Sequence, residues 1–190
     1  MKRFILVVLV CISLLAFVSC GKSNKAVQES AQAIVDAFSD GDMAAINKTI
    51  FGPNGLKLDS ELSDIWEESG ESEVGVLESV FEYVTLKLEK TTESVIEYEI
   101  KAPDMTNVFA NIDMDTTNIT ETELLEYIRD YAKNAEVKTT TVSLKYILVD
   151  GEPFVDYRSE TFVNAVTGGL LDAYKELYSK MMDDYVEGLN

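Results

Sequence analysis

Apolar positions along the chain fall first at helical spacing and later alternate. Val27, Ala31, Ile34, Val35 and Phe38 lie three or four apart, with Gln28, Glu29, Gln32 and Asp36 elsewhere. That spacing predicts a helix over 26–39, ended by Gly41. Asp42 stands at an N-cap position and predicts a second short helix over 43–50, with Ile46 and Ile50 inward. Phe51-Gly52-Pro53-Asn54-Gly55 is a breaker cluster. Leu58, Leu62, Ile65 and Trp66 return to helical spacing until Gly70, and a further helix is predicted over 73–81.

The period then changes to two. Val84, Leu86 and Leu88 alternate with Thr85, Lys87 and Glu89, and Ile96, Tyr98 and Ile100 alternate with Glu97, Glu99 and Lys101. Two strands joined by a turn over 89–93 form an antiparallel hairpin, which Ala102-Pro103-Asp104 ends. Thr120 and Glu123 have capping-box spacing ahead of a helix whose apolar face is Leu124, Leu125, Ile128, Tyr131 and Ala132. A second hairpin runs over 136–149 and 152–157 around Asp150-Gly151. Its expected core residues are Val137, Val142, Leu144, Tyr146 and Leu148. The last apolar stripe, from Phe162 and Val163 to Tyr178, Met181 and Tyr185, is interrupted at Gly168-Gly169, which predicts two helices rather than one. Helices first, then two antiparallel hairpins around a helical insertion, define an α+β domain with a curved sheet of about four strands and a long C-terminal helix.

The N-terminus reads differently. Lys2 and Arg3 precede an apolar run over 4–18, too short for the roughly 20 residues of a spanning helix. A basic start, an apolar run and small residues at its end define a secretory signal. Phe17-Val18-Ser19-Cys20 resembles the bacterial lipobox, with Phe17 departing from the usual Leu. The resemblance implies cleavage before Cys20 and acylation of its thiol, which makes Cys20 the lipidation site and the lipid bilayer a partner. Two acyl chains give stable anchoring where one is marginal. The expected organisation is a signal over 1–19, the lipidated Cys20 with a short tether over 20–25, and one domain over 26–190.

Composition narrows the chemistry. The 190 residues hold 34 acidic and 16 basic side chains, for a net charge of −18, with two cysteines and no histidine. Loss of Lys2 and Arg3 with the signal takes the remaining chain to −20. Such acidity excludes a nucleic-acid partner, because nothing neutralises phosphates in bulk. Without histidine there is no Ser-His or Cys-His pair. Cys11 leaves with the signal and Cys20 carries lipid, so no thiol remains for a disulfide, a metal or a nucleophile.

Four segments carry a second resemblance. They are Ala33-Ile-Val-Asp-Ala-Phe38 with Asp40-Gly-Asp-Met-Ala-Ala45, Tyr98-Glu-Ile-Lys-Ala-Pro-Asp-Met105, Val142-Ser-Leu-Lys-Tyr-Ile-Leu-Val-Asp-Gly151, and Phe162-Val-Asn-Ala-Val-Thr-Gly-Gly169. Together they resemble exported lipoproteins whose domain has the nuclear-transport-factor-2-like, or cystatin-like, fold. The resemblance implies a bent sheet wrapped around a helix, with a cone-shaped pocket, and leans towards a Gram-positive source. It implies no particular activity, because this fold hosts enzymes, binders and scaffolds.

No catalytic set, cofactor site or metal site stands out. Asp113-Met-Asp115-Thr-Thr117 begins like a calcium loop, but Asn118 and Leu124 occupy the positions that need Gly and Glu. Trp66 and the tyrosines read as core. The expectation is a non-catalytic, membrane-anchored, extracytoplasmic lipoprotein binding a small ligand or an envelope protein through a mostly apolar open pocket or a sheet face. One alternative is an isomerase or dehydratase with a buried Asp or Glu facing a Tyr hydroxyl. The other is a structural dimerisation module, and the oligomeric state stays open.

Overall fold

The computed structural model describes residues 25–51, 71–110 and 120–187. The signal, Cys20, the tether through residue 24, the breaker cluster from Gly52 onward, the segment with Trp66, and Asp113 to Thr117 lie outside the described residues. Within them the chain is α+β, with helices ahead of a four-stranded antiparallel sheet and a helix at the end.

Helix α1 spans 25–40 and buries Val27, Ala31, Ile34, Ala37 and Phe38 along one stripe. Gly41 ends it in the left-handed conformation, φ 65°. Asp42 then caps α2 (Met43–Ile50) by accepting from the Ala45 N–H at 3.0 Å, and Ile46 and Ile50 turn inward as their spacing requires. Helix α3 (Glu71–Phe81) packs the Phe81 ring edge-on to Phe38 at 5.5 Å.

Strands β1 (Thr85–Thr91) and β2 (Val95–Pro103) form the first hairpin, with a bulge between Leu88 and Lys90. Helix α4 (Glu121–Asn134) starts at the Thr120–Glu123 capping box, both halves of which are made. Strands β3 (Val137–Val149) and β4 (Glu152–Val155) form the second hairpin. Asp150 and Gly151 both have positive φ there, 53° and 87°. This backbone matches the strand twist and explains the Asp-Gly pair.

Sheet order is β1-β2-β3-β4, so the chain-distant β2 and β3 pair in the middle. β3 is divided. Its residues 137–145 pair with β2, whereas 146–149 pair with β4. Val142, Leu144 and Tyr146 enter the core as expected. Val137 and Leu148 do not: they are 67% and 42% exposed. Val137 has the opposite parity to Val142, Leu144 and Tyr146, so the pleat turns it outward. Leu148 shares their parity but lies beyond the end of β2's pairing, where the two-stranded ribbon leaves the core.

The terminal stripe is two helices, α5 (Glu160–Val166) and α6 (Leu170–Glu187). Gly168 and Gly169 form the corner with φ 62° and 93°. A Cβ on Gly168 would stand 1.8 Å from the Pro103 carbonyl oxygen, and one on Gly169 2.7 Å from Thr106 Cγ2. The Met105 N–H donates to the Gly168 carbonyl at 2.9 Å, which fastens the corner to the end of β2. Tyr178, expected in the apolar stripe, is 60% exposed, because α6 outruns the core.

Candidate functional site

The inner face of the sheet tapers along its length. On β2 the inward residues run Ile96, Tyr98, Ile100, Ala102. On β3, in the matching direction, they run Leu144, Val142, Thr140, Lys138. Large apolar side chains fill one end, and small and polar ones line the other.

The filled end centres on two tyrosines that share no local sequence signal. Tyr98 comes from mid-β2 and Tyr157 from the loop between β4 and α5. Their hydroxyls are 2.8 Å apart, and the Tyr98 hydroxyl donates to the Ala31 carbonyl of α1 at 3.1 Å. Because Tyr98 spends its only proton on Ala31, the Tyr157 hydroxyl is the donor within the pair. Phe162 of α5 packs edge-on to both rings, at 6.0 and 5.2 Å. Burial pushes the Tyr157 hydroxyl up to about 12. Burial, then the neighbouring Tyr157, raise Tyr98 as well. Both hydroxyls therefore stay neutral at ordinary pH and act as ties between α1, the sheet and the start of α5.

The open end is a groove of about 560 Å³ between β3 and α5. Ala102, Thr140 and Lys138 form the sheet side. Thr161 and Asn164 form the helix side, and Gly168 and Gly169 close one end. The groove's walls are held in place by their own hydrogen bonds. Asn164 donates to Asp172 Oδ2 at 2.6 Å and accepts from the Asp172 N–H at 3.1 Å, so it caps the first turn of α6 from α5. Glu160 is paired with Lys175 at 2.6 Å. Thr106 lies under the glycine corner, where its N–H and hydroxyl both donate to Asp104 and hold that carboxyl below the usual range.

The groove mixes apolar and polar surface. It presents hydroxyls, an amide, one lysine and the carboxylates of Glu160 and Asp172 on a small-residue floor. Asp156 is the buried carboxylate among the described residues, adjacent in sequence to Tyr157. Burial pushes the half-buried Glu78 carboxyl of α3 above the usual carboxylate range, only partly offset by a hydrogen bond from Asn47. Neither lines the groove. Among the described residues no group of three or more His, Cys, Asp or Glu side chains could hold a metal ion, and no helix is long and apolar enough to cross a membrane.

The sequence nominates Cys20 as a site residue, which lies outside the described residues, and nominates none of the groove residues. One signal was available. Thr140 and Lys138 continue the inward parity of Tyr146, Leu144 and Val142 but break its apolarity. No protein-family model, curated protein or solved structure matches the chain.

Proposed function

We propose that the chain is an exported lipoprotein, anchored through acylated Cys20, whose domain binds a small polar ligand without transforming it. The single observation that carries the binding reading is the groove between β3 and α5. Its volume of about 560 Å³ lies in the range of small-molecule sites. Lys138 offers a cation for a ligand carboxylate or phosphate, Thr140, Thr161 and Asn164 offer hydrogen bonds around it, and the two carboxylates of the same lining, Glu160 and Asp172, are already engaged by Lys175 and Asn164. Support for a non-catalytic role comes from the buried tyrosines. An isomerase of the expected kind needs a tyrosine hydroxyl ready to donate to a substrate oxyanion. The Tyr98 hydroxyl donates instead to the Ala31 carbonyl, and the Tyr157 hydroxyl donates to Tyr98.

Two measurements test this reading. Backbone-amide NMR spectra of the full chain, titrated with glycylglycine, glucose and inorganic phosphate, should show shifts confined to groove residues for at least one probe. Lys138→Ala should weaken that response by about tenfold, the worth of one charge-assisted hydrogen bond. Shifts scattered over the surface, or none at millimolar probe, would remove the groove as a ligand site. For the anchor, Cys20→Ala should abolish acylation and release the chain from the membrane fraction. Unchanged retention and mass would overturn the lipoprotein assignment.

A further inference from the structure

We infer that the groove takes a free α-amino acid with a polar side chain, its carboxylate on Lys138 and its ammonium on Asp172. The inference rests on the reading of the groove as a ligand site and names the class of ligand. It begins with where the two charges stand. Lys138 lies opposite Ala102 of β2. The next residue of β2, Pro103, sets its carbonyl against Gly168, where a Cβ would stand 1.8 Å from that oxygen. Asp172 follows in the first turn of α6. The lysine therefore comes from the sheet wall and the carboxylate from the helix wall, both at the glycine-corner end of the groove. They do not meet. Among the described residues Lys138 makes no ion pair and Asp172 pairs with no cation.

Asp172 is held ready as an acceptor. Asn164 donates to its Oδ2 at 2.6 Å and accepts from its N–H at 3.1 Å, which fixes the carboxylate from two sides. Its Oδ1 makes no hydrogen bond among the described residues. An amide nitrogen carries two protons, so Asn164 keeps one for a ligand after serving Asp172. The backbone of the corner has nothing left to offer. The N–H groups of Gly168 and Gly169 donate to the carbonyls of Ala165 and Asn164, and their own carbonyls accept from Met105 and Ala173. Recognition at this end falls to the side chains of Lys138, Asn164 and Asp172.

Charge balance then selects the class. A phosphate would gain Lys138 but meet Asp172 and a chain of net charge −18. A simple cation would gain Asp172 but meet Lys138. A zwitterion satisfies both and brings no net charge. Quaternary ammonium groups are held by aromatic faces, and among the described residues no aromatic side chain lines the groove. Asp172 Oδ1 calls instead for a primary ammonium with N–H donors. Because Lys138 and Asp172 stand at the same end, the two charges of the ligand belong on one carbon, as in an α-amino acid, rather than at the two ends of a chain. From that head the groove follows α5 back to Thr161 and β3 onward to Thr140, whose hydroxyls match a polar side chain. Glu160, at that far end, is neutralised by Lys175 at 2.6 Å.

The test is a backbone-amide NMR titration of the full chain with L-serine and L-glutamine, each also as its N-acetyl and its amide form. At least one free amino acid should give groove-confined shifts, and capping either charge should weaken its binding at least about tenfold. Glycylglycine, whose charges stand further apart, should bind more weakly than the free amino acid. Asp172→Asn keeps an acceptor for Asn164 and removes the charge. It should weaken the free amino acid about tenfold and leave the N-acetyl form unchanged, a selectivity that a merely structural role of Asp172 would not produce. Lys138→Ala should do the converse, sparing the amide form. If Asp172→Asn fails to fold, the capped series on the parent chain still decides. Capped forms that bind as tightly as the free amino acid overturn the inference. So does a groove-confined response to phosphate or glucose with none to either amino acid, and the groove then survives as a ligand site. No groove response to any of these probes removes the ligand reading and this inference together.

Discussion

The two ends of the sheet's inner face are built from the same two strands and behave differently. Around Tyr98 the side chains are large, the hydroxyls are engaged, and α1, α5 and the sheet are tied together. Around Thr140 the side chains are small and polar, and α5 stands off far enough to leave a groove. Nothing in the backbone pairing marks the change, since the β2–β3 register runs unbroken from Val95 to Pro103. The difference lies in side-chain volume and polarity alone. A continuous sheet thus carries a packed structural half and an accessible half, and substitutions in the two should have effects of different size and kind.

The largest effect should come from emptying the packed end. Tyr98→Ala removes a fully buried ring and strands the Tyr157 hydroxyl and the Ala31 carbonyl. The expected loss is about 3–5 kcal/mol by urea denaturation. Tyr98→Phe keeps the ring and removes only the hydroxyl bonds, for about 1–3 kcal/mol. Equal losses for the two variants would mean that the hydroxyls, and not the packing, hold this end together.

Alkaline pH should act next. The folded pKa of Tyr157 is raised to about 12 and that of Tyr98 is also raised, against about 10 for an unfolded tyrosine. Raised values mean that the folded chain holds protons the unfolded chain gives up. The contribution of Tyr157 is fully present below about pH 10 and is lost as pH rises from there through about 12, and that of Tyr98 falls over the same window. The slope in that window is about 1.4 kcal/mol per pH unit for each hydroxyl. Denaturation midpoints across the window should fall less steeply for Tyr98→Phe than for the parent; identical slopes would break the assignment.

The smallest effect should come from the open end. Thr140→Ala removes a half-exposed hydroxyl that makes no hydrogen bond recorded among the described residues, and stability should change by no more than about 0.5 kcal/mol. The same variant should reduce ligand-induced shifts in the groove. A stability loss as large as that of Tyr98→Phe would erase the distinction between the two ends.

Much of this architecture is legible in the sequence because it follows from local spacing. The stripe over 27–38, the Asp42 cap, the Thr120–Glu123 box, the Asp-Gly turn and the glycine corner all act over a few residues, and each appears where the pattern puts it. At Val137 two local patterns conflict. Apolarity places it in the core, and the parity counted back from Tyr146 places it outside, so pleat geometry decides. The Tyr98–Tyr157 tie and the groove were not legible for a different reason. Their members are separated by tens of residues and are brought together by the β2–β3 and β3–β4 registers and the Gly168–Gly169 corner. Threonine and asparagine also carry no distinctive spacing of their own. Cys20, the one site residue the sequence does nominate, lies outside the described residues.

The order of the strands also sets an order in time. β1 with β2, and β3 with β4, are neighbours in the chain and close over short turns, events of about 1–10 μs. The middle ladder joins Pro103 to Val137 across the whole of α4 and can form only after that longer loop is closed. Until it does, each hairpin is a separate two-stranded ribbon of marginal stability, and the Tyr98 and Tyr157 hydroxyls have not met. Joining of the two hairpins is therefore the step at which the inner face, with both of its ends, comes into existence.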